Sequence, residues 1–168
     1  TCLIWGSTYL SESIGLTADM AAARITFYFV GITLGRFLSG LLSMKFTDWK
    51  IILMGQVTIF AAVLILLVSN HTVGTVLGLF LIGLGNGPIF PNMTHLTPAL
   101  YKKETSQSII GIEMAFSNLS IMLTPVLFGF LSSVLSINIF PAFLAIMFTF
   151  MAGCTVALKI GDIRSKKR

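Results

Sequence analysis

Between Lys50 and Lys102 the chain runs for 51 residues without one Asp, Glu, Lys or Arg. As one helix that stretch would reach about 75 Å, against a bilayer hydrocarbon core of about 30 Å. It must therefore fold back, and the polar residues Ser69, Asn70, His71 and Thr72 mark the place. A second charge-free stretch, 114–158, divides in the same way near Ser136, Ile137 and Asn138, with Pro141 in the first turn of the next helix. Only 10% of the 168 residues are charged and 55% are apolar. A soluble domain needs about a quarter charged residues to cover its surface. A soluble globule, a disordered chain and a secreted disulfide scaffold are excluded, the last because Cys2 and Cys154 sit in apolar runs.

The predicted fold class is all-α, a polytopic transmembrane helix bundle. Six spans are expected, at 1–16, 22–43, 51–69, 73–98, 107–134 and 138–159, followed by a basic tail at 160–168. The apolar run is already under way at Thr1, so the first span reads as truncated and the chain as a fragment. Alternate connections carry Lys45 and Lys50, then Lys102 and Lys103, then Lys159, Arg164, Lys166, Lys167 and Arg168; the others carry only Arg24. The positive-inside rule then places the C-terminus and two connections in the cytoplasm of a plasma or inner membrane. The same placement accounts for the net charge of +5 without a nucleic-acid partner.

Ionisable groups inside a span are costly and stand as functional candidates. Glu113 lies about 10 Å into the fifth span, and Ser117, Ser120 and Thr124 share its face within about 60°. This stripe reads either as hydroxyl glue between helices or as the wall of an aqueous path. Arg36 has similar depth and opposite charge, so it either snorkels alone or pairs with Glu113 for proton coupling. Gly31, Gly35 and Ser39 repeat beside it at a spacing that admits a close helix neighbour. In the fourth span Gly83, Gly85, Gly87, Pro88 and Pro91 remove backbone hydrogen bonds and predict a helix break, with Asn86 at mid-span and Asn92 beyond it. In the first span Thr1, Trp5, Tyr9 and Glu12 share a face. Its aromatic pair reads as a stacking surface for a sugar ring or as an interfacial belt. Trp5, Tyr9, Asn86, Asn92 and Ser117 are the candidate substrate-binding residues. His71 and His95 fall about 36 Å apart along the fourth span and make no zinc spacing, so no metal, cofactor or catalytic centre is expected.

The run from Gly31 through Gly35-Arg36-Phe37 and Gly40 to Lys45, with Lys50 opening the next span, resembles the eighth helix and following loop of the major facilitator superfamily. Gly35-Arg36-Phe37 and Ile89-Phe90-Pro91 look like the fucose-permease type, and the Gly-rich fourth span and the Thr124-Pro125 to Gly129 stretch look like its tenth and eleventh helices. The resemblance implies the C-terminal six-helix half of a twelve-helix transporter, working by alternating access with an N-terminal half that this sequence lacks. It also implies a gating loop at Gly40, Lys45 and Asp48. The loop motif normally has an acid where this chain has Met44, and Asp48 is the candidate substitute. The expected function is proton-coupled movement of a small polar solute, a sugar among the candidates. Proton-antiport export of drugs or metabolites, and a non-transporting module such as a channel subunit, remain alternatives. The expected partners are the lipid bilayer, the solute, protons and the other half.

Overall fold

The computed structural model describes residues 1–69, 71–101 and 103–165. Asn70, Lys102 and the tail residues 166–168, used above for the fold-back and the orientation, lie outside the described residues. Six α-helices follow one another: α1 (Cys2–Glu12), α2 (Ala18–Leu42), α3 (Asp48–Val68), α4 (Thr72–Leu100), α5 (Lys103–Val134) and α6 (Phe140–Ser165). A short 3-10 turn, Ile137–Ile139, leads into α6, and no strand occurs among the described residues. Five of the helices are long and apolar enough to cross a membrane. The sixth, α1, has 11 residues and reaches only about 16 Å. It stops short of the expected end at 16 because residues 13–17 turn the chain, with Gly15 in the left-handed region at φ +77°.

The bundle has two ends. Ser13, Ile14, Leu66, Leu67 and Asn138 come together at one; Phe46 and Thr47 lie with Ala99 and Leu100 at the other, where Tyr101 and Gly161 also meet. The tightest core lies towards the first end, where Tyr9, Leu10, Ile25, Leu66, Leu79, Phe128 and Phe140 are buried together. Ser13 there donates a hydrogen bond to Asn138, tying two turns.

Helix α4 is the centre of the bundle, and α2 and α3 make its main contacts. Its glycines explain why. A Cβ on Gly83 would collide with the backbone of Tyr28, and one on Gly87 would sit 2.7 Å from the Ile32 carbonyl oxygen, so both face α2. Gly85 faces α3, where its reciprocal partner is Gly55; a Cβ on Gly55 would lie 2.7 Å from the Gly85 oxygen. Small residues at four-residue spacing let two backbones approach to that distance, which is how helices associate in lipid.

The expected helix break does not occur. Helix α4 runs through Pro88, Pro91 and Pro98 without interruption. Pro88 has no N–H to give the Leu84 carbonyl. Gly35 of α2 lies against that oxygen instead, at an approach a side chain would block. Close packing on α2 therefore shields the freed carbonyl, as a bilayer requires.

The outer faces of α5 and α6 expose Phe116, Leu127, Phe130, Ile146 and Phe150. Apolar surface on that scale would aggregate in water and suits a hydrocarbon surround.

Candidate functional site

A cavity of about 1030 Å³ opens at the second end of the bundle, between α2, the turn 43–47, the start of α3 and the last third of α4. Arg36, Ser39 and Gly40 line it from α2, Asp48 and Trp49 from α3, and Asn92 and His95 from α4. The turn is brought in by Phe46, whose ring lies 6.0 Å beneath the Lys50 ammonium. Asp48 sits in the first turn of α3, where the helix dipole favours an acid. Its Oδ2 is 3.1 Å from Nδ1 of His95. That contact fastens the loop and the start of α3 to α4.

Of the expected gating residues, Gly40 and Asp48 line this cavity, while Lys45 lies exposed in the adjoining turn. Asp48 is thus held by His95, a partner the sequence did not suggest. The signal was available: both residues fall at the same end of consecutive spans.

The remaining candidates scatter. Asn92 is buried, and its amide nitrogen donates to Ser39 Oγ at 2.6 Å and to the Pro88 carbonyl. It clamps α4 to α2 as well as lining the cavity. Asn86 is exposed on α4 and shares a side-chain hydrogen bond with Tyr28 of α2. Trp5 donates its indole N–H to the Pro125 carbonyl at 2.9 Å and meets Phe128 edge-on at 5.5 Å. A Cβ on Gly129 would lie 2.8 Å from its ring. Tyr9 is buried and stacked on Phe140 at 5.0 Å. The aromatic stripe of the first span thus docks α1 onto α5 and α6, with Trp5 half-buried and Tyr9 buried.

Arg36 and Glu113 do not pair. Glu113 instead accepts a hydrogen bond on Oε1 from Thr97 of α4 at 2.8 Å, and its Oε2 is buried with no partner among the described residues. Equal depth did not bring the two charges together, because the carboxyl turns to α4 while the guanidinium lines the cavity. Among the described residues Arg36 makes no ion pair. Ser117 and Thr124 are half-buried and Ser120 exposed, so the polar stripe of α5 lies at the edge of its contact with the bundle. A second unpartnered buried atom is Nε1 of Trp49, beside the cavity. Gln56, buried on α3, donates to Thr155 of α6 at 2.7 Å and holds that outer helix in place. The sequence singled out neither: Trp49 stands between Asp48 and Lys50 at the head of its span, and Gln56 is a single amide in an apolar run.

Comparison with curated proteins gave no match, and comparison with solved structures gave none. Residues 2–167 match the family described as Major Facilitator Superfamily. That match spans the five long apolar helices, the short α1 and the loop with its adjoining cavity. The chain belongs to the major facilitator superfamily and is a multi-pass membrane transporter protein.

Proposed function

We propose that this chain is the C-terminal six-helix half of a secondary active transporter, carrying a small polar solute together with protons by alternating access. The single observation that carries the proton part is Glu113. It is the one acid well inside a long apolar helix, one oxygen is held by Thr97, and the other is buried and empty-handed. A proton on Oε2 would remove the unpartnered charge, and rocking of α5 against α4 would break or remake the Thr97 contact. The exposed apolar face of α2, including Phe37, is where a second six-helix half would pack. The basic connections set the second end, with its cavity, on the cytoplasmic side of a plasma or inner membrane.

The solute is small and polar, a sugar among the candidates; Trp5 and Tyr9 pack against Phe128 and Phe140. The test is Glu113→Gln in the full-length protein, reconstituted in vesicles. The variant should still exchange solute across the membrane at equilibrium and lose accumulation driven by a pH gradient. Unchanged accumulation, with unchanged pH dependence, would reduce Glu113 to a packing residue bonded to Thr97.

A further inference from the structure

We infer that the cavity at the second end is a binding site for the anionic group of a small amphipathic molecule, a carboxylate or phosphate carried on an apolar body. Arg36 lines the cavity, where it is exposed, and its guanidinium has neither ion pair nor hydrogen bond among the described residues. The acid in the same wall, Asp48, is already engaged by His95 at 3.1 Å. Trp49 keeps a buried indole N–H with no acceptor among the described residues. An unpaired buried donor is costly, and a native structure that retains one commonly has a ligand or water for it. Ser39 accepts from Asn92 on its oxygen, which leaves its own hydroxyl hydrogen to give.

The wall is therefore rich in donors, with a guanidinium unopposed and its carboxylate occupied. Arg is the side chain best shaped to hold a carboxylate or phosphate through two parallel hydrogen bonds. Beside Ser43 and Thr47 the remaining lining is largely apolar, with Phe46, Phe90 and Leu96 prominent, so a bare inorganic ion would leave much of the wall without a partner. Two sources share this chemistry, a carried organic anion and an anionic lipid headgroup. As a statement about the carried solute, the inference rests on the transporter reading above; as a statement about anion binding it does not.

The test uses fluorine NMR on the full-length protein in nanodiscs of neutral phosphatidylcholine, with 4-fluorobenzoate and its neutral analogue 4-fluorobenzamide as probes. The benzoate should broaden saturably and the benzamide should not. Arg36→Gln should weaken the benzoate at least about tenfold, as expected for losing a charge-assisted pair. Arg36→Lys should retain part of the binding, and Trp49→Phe should weaken it without abolishing it. Equal broadening by both probes, or undiminished benzoate binding to folded Arg36→Gln, would overturn the inference; the comparison of the two probes needs no variant. Adding phosphatidylglycerol to the nanodiscs assigns the source: competition marks a lipid headgroup, and its absence marks a solute. Vesicle uptake separates this result from the transporter reading. Anion binding without uptake of any solute would sink only transport, whereas transport untouched by Arg36→Gln, with no benzoate binding, would sink only the anion site.

Discussion

Replacing Gly87 by Ala tests whether the glycines of α4 form a seam or a break. A Cβ at Gly87 would lie 2.7 Å from the Ile32 carbonyl oxygen and 2.9 Å from the Arg36 nitrogen. Both atoms belong to the α2 backbone, so no side chain can swing aside. A carbon–oxygen contact needs about 3.3 Å, which requires α2 and α4 to part by about 0.6 Å along the main contact of the bundle. Overpacking of that kind costs about 1–3 kcal/mol. Alanine also favours a helix over glycine by about 1 kcal/mol, so the clean comparison is Gly153→Ala on α6. There a Cβ meets nothing within 4 Å, and only the helix-forming gain applies. The assay is thermal unfolding of the full-length protein in detergent. Gly87→Ala should melt several degrees below Gly153→Ala. Equal melting temperatures would mean that α2 and α4 are not held at the distance described, and the sequence reading of these glycines as a break would return.

Trp5→Ala should destabilise the bundle by about 3 kcal/mol through the space left against Phe128 and Gly129. Trp5→Phe should cost only about 1 kcal/mol, for the lost bond to Pro125; denaturant unfolding checks both, and a variant of full stability with weakened solute binding would restore Trp5 as a stacking platform. In a Cys154→Ser background, a cysteine placed at His71 should react in intact cells with an impermeant thiol reagent, and one placed at Arg164 should not. The reverse pattern would invert the proposed orientation.

The helices were legible because charge is nearly forbidden in hydrocarbon: Lys45, Asp48 and Lys50 cluster about one turn, and the polar Ser69 and His71 flank the next. Depth was legible for the same reason, through the fixed rise per residue. Azimuth was not. Arg36 and Glu113 share a depth, yet one lines the cavity and the other turns to Thr97. Asp48 and His95 share a depth too, and they do meet. A helical wheel ranks faces within one helix but does not say which neighbour each face meets. The apolar runs around them are too uniform to decide it. The Gly and Pro residues of α4 were conspicuous for the right reason, weakened local hydrogen bonding. Their consequence lay in α2, where Gly31 lets the backbone close over the Phe80 carbonyl and Gly35 over the Leu84 carbonyl. Trp5 and Tyr9 misled because an aromatic face serves packing and ligand stacking equally well until its neighbours are known.

The central claim is that this superfamily member moves a solute at the expense of a proton gradient. The most direct measurement loads proteoliposomes of the full-length protein with buffer, imposes an acid-outside pH gradient, and offers a mixed pool of small polar metabolites. Mass spectrometry of the recovered vesicles then reads what has entered. At least one polar solute should accumulate above its outside concentration, and a protonophore should abolish that accumulation. Vesicles that take up no solute above protein-free controls, or that concentrate one equally with the gradient collapsed, would contradict the account.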